Sequence, residues 1–259
     1  MRIATLGRTH WLLSAARRLQ SLGHEIVLVA TAPARPEYVA HARDYAALAE
    51  SSGCPYYLSP DVNGSEFRET LKELNVELAI SINWPALFRA ETCAVPRCGV
   101  LNSHGGDLPR YRGNACASWA ILRGEPKVGL CIHAMDPSEV DAGPIFARRY
   151  RAISEDTYIG DILQWFDSAV PDAFAEAVSN LEHPDFVPEG QLRSGVRPLR
   201  CHPRRPEDGA IDWSQSAVTV ARLVRASSRP YRGSFASLEG KEQVTIWRAR
   251  VIDLPADVL

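Results

Sequence analysis

The sequence predicts an α/β fold, in which a doubly wound, mostly parallel sheet is followed by a small C-terminal subdomain. Short buried apolar runs alternate with segments of helical periodicity through residues 3–102, and the composition changes to Pro, Gly and Arg between His183 and Pro206. Such alternation favours parallel pairing, because a right-handed crossover brings each new strand beside an earlier one. We therefore expect a main domain at residues 1–185, and a linker with a small subdomain at residues 186–259.

The first elements follow from periodicity. Ile3–Leu6 and Ile26–Ala30 are apolar runs typical of buried strands. Between them, apolar residues recur at helical spacing up to Leu22, and Gly23 is a typical helix stop. The alternation continues with predicted helices at residues 38–50 and 67–74, and predicted strands at residues 56–58, 78–82 and 99–102.

The pattern changes in the second half of the chain. Two consecutive strands are predicted there, separated by an acidic loop, and a long helix follows. Pro171 lies inside that helix and should kink or divide it. The predicted helices are residues 115–123, 159–181 and 218–226, and the predicted strands are residues 128–135, 145–153 and 244–251.

Composition and missing motifs exclude several classes of function. The formal net charge of −2 argues against a nucleic-acid binder, and six cysteines without a CxxC pair argue against a zinc site, so we expect no metal. No signal peptide and no apolar run of about 18 residues is visible, which predicts a cytoplasmic protein without a membrane partner. The first turn, LGRTHW, has no GxGxxG, and no GxxxxGK[ST] occurs in the chain, so NAD or ATP chemistry is not expected at this turn.

Candidate chemistry is concentrated in residues 99–149. Asn102 and His104 share one face at the end of a predicted strand, and the acidic loop of residues 136–143 leaves another strand end. A neutral imidazole can accept a proton, a carboxylate can orient it, and an amide can stabilise an oxyanion. These are the parts needed for acyl transfer. Because no nucleophile elbow accompanies them, direct attack by an amine is favoured over a covalent intermediate.

This segment resembles the formyltransferase family that uses 10-formyltetrahydrofolate. The family pattern is Asn-x-His, LLPxYRG, a tryptophan-containing helix with Gly-Glu, a strand ending in His, and an Asp-x-Gly loop. The matching positions are Asn102–His104, Leu108–Gly113, Trp119–Leu122, Gly124–Glu125, His133 and Asp141–Gly143. The resemblance implies a Rossmann-like formyltransferase fold and assigns the catalytic roles to Asn102, His104 and Asp141.

The resemblance also implies a folate pocket and a substrate side. Its cofactor-binding candidates are Trp84, Pro85 and Leu87, together with the backbone of Ser138, Glu139 and Val140; its substrate-binding candidates are Asp107, Arg110, Tyr111 and Arg112. His133 is interpreted as a structural residue inside an apolar strand.

One departure from the family pattern stands next to the catalytic histidine. The family usually has Pro-Ser-Leu where this chain has Gly105-Gly106-Asp107. We expect the glycines to make the loop more flexible. Asp107 is either a second acid near the acceptor amine, or a solvated or capping residue.

The C-terminal segment bears on the acceptor. It resembles the linker and second domain shared by methionyl-tRNA formyltransferases and several sugar N-formyltransferases, which makes glycinamide ribonucleotide a poor candidate substrate. The matching residues are Glu207–Gly209, Ile211–Trp213, Arg225 and Pro230–Tyr231. The residues after Trp213 are too few for the longer C-terminal β-barrel usual in the tRNA enzymes.

A nucleotide-linked amino sugar is therefore the predicted substrate, formylated on its amine. The alternatives are methionyl-tRNA, another small amine, and a catalytically silent folate- or nucleotide-binding module. An arginine cluster either binds a diphosphate or is a solvated linker; its members are Arg193, Arg197, Arg200, Arg204 and Arg205. The sequence leaves the oligomeric state open, with a homodimer as one option.

Overall fold

The computed structural model describes residues 1–35, 38–191, 196–238 and 242–253 of the chain. Its strands are β1 (Arg2–Gly7), β2 (Glu25–Thr31), β3 (Tyr56–Leu58), β4 (Leu78–Ile82), β5 (Val100–His104), β6 (Tyr111–Gly113), β7 (Lys127–Ala134), β8 (Ile145–Ala152), β9 (Leu199–Cys201), β10 (Ser234–Leu238) and β11 (Glu242–Ile246). Its helices are α1 (His10–Ser21), α2 (Ala42–Ser52), α3 (Ser65–Glu73), α4 (Ala90–Cys93), α5 (Cys116–Arg123), α6 (Ile159–Glu182) and α7 (Ala217–Ser227), with a 3-10 turn at Pro206–Gly209.

Seven of these strands form the central sheet, in the order β3-β2-β1-β4-β5-β7-β8. The first five strands of the sheet, from β3 to β5, pair in parallel, and β7 and β8 are antiparallel to their neighbours. The chain winds outward from β1 in one direction and then returns to continue from β1 in the other, which confirms the doubly wound, mostly parallel sheet. In this topology the carboxyl ends of the central strands are the expected place for a ligand.

Alternating strand residues divide the core into two layers. Ile3, Ile80 and Leu101 belong to the larger layer, which packs against α1, α2, α5 and α6. Leu6 and Val100 belong to the other layer, which packs against α3 and the segment before α4. Because side chains of a strand point alternately to the two faces, the residues of β5 that share a face with Val100 are Asn102 and His104.

Most predicted elements are present, but three predictions need correction. Pro171 does not divide the long helix: α6 is continuous, because its apolar face, with Phe166 and Phe174, stays buried against the sheet and outweighs one missing N–H donor. The helix predicted at residues 38–50 begins only at Ala42. The strand predicted at residues 244–251 is Glu242–Ile246, which forms a hairpin with β10.

The linker folds back onto the main sheet. Glu189 exchanges two backbone hydrogen bonds of 2.9 Å with Ile145 at the start of β8. Strand β9 pairs in parallel with β6, although neither strand has the length or alternation that would predict it from sequence. Residues that come after the predicted main domain therefore lie beside the loops at the carboxyl end of the sheet. No helix among the described residues is long and apolar enough to cross a membrane.

Candidate active site

Three polar side chains lie together on one face of the sheet, at the carboxyl end of β5. Asn102 and His104 stand two residues apart on this strand, and His133 on β7 is the register partner of Asn102. The Nδ2 atom of Asn102 lies 3.3 Å from Nε2 of His133. Antiparallel pairing between β5 and β7 thus brings a second imidazole to the amide. His133 is buried and hydrogen-bonded to the carbonyl oxygen of Ala134, and its interpretation as a structural residue stays a prediction.

Asp141 reaches the same place from the loop between β7 and β8. Its Oδ2 lies 3.5 Å from Nδ1 of His104, and its Oδ1 lies 3.5 Å from Nε2 of His133. The backbone N–H of Gly113 donates a hydrogen bond of 2.8 Å to Oδ2. The amide, imidazole and carboxylate that the sequence predicts to converge do so, around a common point between β5 and β7.

The Asp-x-Gly sequence has a steric reason. Asp141 has a φ of 57°, a conformation that aspartate and asparagine tolerate better than most residues. A Cβ atom at Gly143 would lie 2.0 Å from the carbonyl oxygen of Ala134, at the end of β7. Glycine therefore lets the loop cross back over the strand, and the left-handed turn before it directs the carboxylate at His104.

The glycines after His104 also have a packing role. A Cβ atom at Gly106 would lie 2.5 Å from the carbonyl oxygen of Tyr111 and 2.6 Å from Nε2 of His104, and one at Gly105 would lie 2.9 Å from the ring of Phe166. The expectation that these glycines make the loop more flexible stays a prediction, but the distances give them a packing role. They allow the loop to pack closely against the imidazole.

Strand β6 contacts both ionisable groups through its backbone. The carbonyl oxygen of Tyr111 lies 2.5 Å from Nε2 of His104, and a carbonyl can only accept, so Nε2 carries a proton. The N–H of Gly113 binds Asp141 from the other end of the same strand. The basic atom of neutral His104 is therefore Nδ1, which faces the carboxylate.

The surroundings fix opposite charge states for the two groups. Burial lowers the pKa of His104 below its ordinary 6.5, and the nearby Asp141 only partly opposes this effect. Burial would raise the pKa of Asp141, but His104, His133 and the Gly113 N–H outweigh it, so that pKa lies below its ordinary range. At pH 7 the site thus holds an ionised carboxylate beside a neutral imidazole that can accept a proton.

The carboxylate of Asp107 is bound by two side chains. Its Oδ1 accepts hydrogen bonds from Nη1 of Arg148 at 2.6 Å and from the hydroxyl of Tyr150 at 3.0 Å. Both partners lie on β8. The expectation of a solvated or capping residue is wrong, because the carboxylate forms an ion pair across the sheet.

Two further substrate-side candidates bind a common acid. Arg110 forms a 2.7 Å ion pair with Glu125, and the hydroxyl of Tyr111 donates a hydrogen bond of 2.6 Å to the same carboxylate. Their side chains therefore bind at the C-terminal end of α5, while the backbone of Tyr111 contacts His104.

Arg112 is buried and has partners that the sequence analysis missed. Its guanidinium donates to the carboxylate of Glu139 at 2.6 Å and to Oε1 of Gln191 at 2.9 and 3.2 Å. The side-chain amide of Gln191 in turn donates to the carbonyl oxygens of Asp141 and Gly143 at 2.8 and 2.7 Å. A linker glutamine thus holds the loop that carries the carboxylate, and no local motif in the sequence marks it.

The predicted folate residues are divided between two places. Trp84 and Pro85 line a cavity of about 250 Å³ at the carboxyl ends of β2, β3 and β4, with Asp61 and Ser59 among its polar lining. Leu87 is 71% exposed and does not line it. Ser138, Glu139 and Val140 lie in the loop that carries Asp141; Ser138 donates from its N–H and hydroxyl to Asp136, and Val140 is half-buried.

The members of the predicted arginine cluster differ in their surroundings. Arg204 donates to the carbonyl of Ala226 and to the hydroxyl of Ser227, on α7. Arg197, Arg200 and Arg205 are exposed, and Arg193 lies outside the described residues.

Comparison with known proteins finds two matching family models and several similar solved structures. A family model described as formyl transferase matches residues 1–178, and a model described as the formyl transferase C-terminal domain matches residues 204–257. A sugar N-formyltransferase from a Shewanella species and a 4-N formyltransferase from Francisella tularensis each have a TM-score of 0.73 at 16% identity, covering 98% of this chain and 99% of their own. A sugar 3N-formyl transferase, WlaRD, solved in the presence of dTDP and 5-N-formyl-THF, has a TM-score of 0.66 at 13% identity, covering 87% of this chain and 78% of its own.

Proposed function

The chain belongs to the formyl transferase family, and from this premise we propose that it moves a formyl group from 10-formyltetrahydrofolate to the amine of a nucleotide-linked amino sugar. One observation carries the proposal: Asn102, His104 and Asp141 converge at the end of β5 with a neutral imidazole and an ionised carboxylate. These are the groups that amine attack on an acyl carbon requires.

Each group has a separate part in the reaction. The donor, when bound, supplies an activated formyl carbon. Asn102 donates from Nδ2 to the formyl oxygen as that oxygen becomes negative, and His104 accepts at Nδ1 the proton that the attacking amine loses. The carbonyl oxygen of Tyr111 holds the ring in place by accepting from Nε2, and Asp141 stabilises the resulting imidazolium at close range. The proton then passes from His104 to the departing nitrogen as the bond between that nitrogen and the formyl carbon breaks, so the tetrahydrofolate leaves without a charge on that nitrogen and His104 is neutral again.

The surroundings of the site fit a folate. The cavity beside Trp84 combines an aromatic face and three prolines with the carboxylate of Asp61, which suits a flat ring that carries N–H donors. The loop of residues 136–143 offers backbone groups beside the catalytic carboxylate. Trp84, Pro85 and this loop are therefore the proposed donor contacts, whereas the exposed Leu87 is the weakest of the predicted set.

The acceptor assignment rests on the similar proteins and on charge. Two solved structures that share this fold over nearly the whole chain are described as a sugar N-formyltransferase and a 4-N formyltransferase, and the formal net charge of −2 gives little general attraction for RNA. The exposed arginines before α7 remain candidates for diphosphate contacts.

A substrate screen tests the proposal directly. The protein is incubated with 10-formyltetrahydrofolate and, separately, with nucleotide-linked 3-amino sugars, 4-amino sugars and charged initiator tRNA, and products are read by the mass of one added formyl group. We expect formylation of a nucleotide-linked sugar, abolished in His104→Ala and kept in His183→Ala, which changes an exposed histidine. Formylation of tRNA alone would assign methionyl-tRNA as the acceptor instead of a sugar. Binding of 10-formyltetrahydrofolate without any formyl transfer would support a catalytically silent binding module.

A further inference from the structure

Ser81 lies directly beside the catalytic amide. It is on β4, and its register partner on β5 is Asn102, so the two side chains share one face on adjacent strands about 4.8 Å apart. Ser81 is fully buried. Continuing across the same row, the next residue on β7 is His133. Serine, amide and imidazole therefore form one line across three strands.

The hydroxyl of Ser81 lacks a partner. Its Oγ makes no hydrogen bond to any of the residues that the structure describes. Its neighbour on the other side, in β1, is the apolar Leu6. Buried polar atoms of native proteins are usually bonded, and an unbonded one is costly. Along this row, the only polar group next to Ser81 is the amide of Asn102.

The proposed reaction requires one orientation of that amide. Nδ2 must face the reacting formyl oxygen, and it already lies on the side of His133. If the amide turned over, Oδ1 would present lone pairs to an oxygen that is becoming negative, which is repulsive. A hydroxyl that donates to Oδ1 from the β4 side would hold the productive orientation and exclude the other.

We infer that Ser81 is a positioning residue for Asn102, an inference that rests on the proposed function. When the formyl donor is bound, the hydroxyl of Ser81 donates a hydrogen bond to Oδ1 of Asn102. Ser81 touches neither substrate. Its loss lowers kcat and leaves the KM values for donor and amine unchanged, because the amide acts on charge that develops only after binding. The expected fall in kcat is about three- to tenfold, the range for one neutral hydrogen bond.

The test compares Ser81→Ala with Thr5→Val. Thr5 is also fully buried in the sheet with an unpartnered hydroxyl, but it lies on β1 and on the opposite face, with Ile3. Each variant removes a buried, unpaired hydroxyl, so neither should lower the melting temperature. We expect Ser81→Ala alone to lower kcat. Equal kcat in wild type and Ser81→Ala, or an equal fall in both variants, overturns the inference.

A double-mutant cycle asks whether Ser81 acts through the amide. In an Asn102→Ala background, adding Ser81→Ala should leave kcat unchanged, since the amide to be oriented is gone. A further three- to tenfold fall in that background would show an independent role and sink the inference.

A measurement without turnover separates this inference from the proposed function. The side-chain amide signals of Asn102 in a ¹⁵N spectrum, identified by their absence in Asn102→Ala, should shift in Ser81→Ala and not in Thr5→Val, in the presence of 5-formyltetrahydrofolate. Signals that respond in both variants or in neither overturn the inference. If they respond as expected while no amine is formylated, the positioning contact stands and the proposed reaction fails.

Discussion

At the scale of single residues, the site depends on keeping two neighbouring groups in opposite charge states. Asp141 is ionised because hydrogen bonds and imidazoles surround it, and His104 is neutral because it is buried. The backbone of β6 fixes which imidazole nitrogen is basic. The carboxylate of Asp141 therefore stabilises His104 most strongly when the ring has accepted a proton. A stabilisation that is greater in the transition state than in the ground state is what accelerates a reaction.

Removing either group should lower the turnover rate strongly. We expect His104→Ala and Asp141→Asn to lower kcat by about two orders of magnitude or more, the range for lost general-base catalysis. Asparagine tolerates the φ of 57° at position 141, so Asp141→Asn should keep the wild-type circular dichroism spectrum. The measurement is kcat beside thermal unfolding; full activity in both variants would remove the mechanism.

The pH profile reports the charge state of His104. Activity requires the neutral ring, and its pKa lies below 6.5. We therefore expect kcat/KM to be at its plateau at pH 7 and to fall only as the pH drops through a value below 6.5. Asp141 raises the pKa of His104, so Asp141→Asn should move this acidic limb to still lower pH. A limb that moves upward in the variant would contradict the assignment.

At the scale of elements, the strands of the central sheet were predictable from sequence, whereas the short strands β6 and β9 were not. The strands of the central sheet carry buried runs with clear periodicity, and Asn102, His104 and Asp141 follow strand ends, so their convergence could be inferred. Strands β6 and β9 have three residues each and exist because they pair with each other. Their pairing depends on the linker returning to the site, and no local sequence pattern predicts that return. The backbone of β6 nevertheless provides two contacts to the catalytic groups, one to His104 and one to Asp141.

In the loop between β5 and β6, close packing explains the two glycines. Two adjacent glycines suggest mobility, yet Gly106 is where the loop passes His104 and Tyr111 too closely for a side chain. We expect Gly106→Ala to lower the free energy of unfolding by about 1–3 kcal/mol, as overpacking does, and to lower kcat by displacing the imidazole. Gly190→Ala is the matched control, since a Cβ atom there meets nothing within 4 Å. Equal stability of the two variants, measured by urea unfolding, would contradict the close packing.

At the scale of the whole molecule, the linker completes the catalytic loops. Strand β9 pairs with β6, whose backbone binds both His104 and Asp141. Gln191 joins Arg112 to the loop of Asp141. A division into a main domain of residues 1–185 and a following unit remains a proposal, but the first unit alone would lack these supports. Residues that follow the predicted main domain in the sequence therefore belong structurally to its catalytic loops.

The last prediction follows from the buried amide of Gln191. Its side chain is 4% exposed and donates to two carbonyl oxygens of the Asp141 loop while accepting from Arg112. Gln191→Met keeps the volume but leaves these partners unbonded, which should lower the free energy of unfolding by about 1–3 kcal/mol. Because the loop then loses its anchor, kcat should fall more than the KM for the amine rises. The exposed Gln243→Met serves as control, and unchanged kcat in Gln191→Met would mean that Gly113 and the two imidazoles hold the carboxylate without help from the linker.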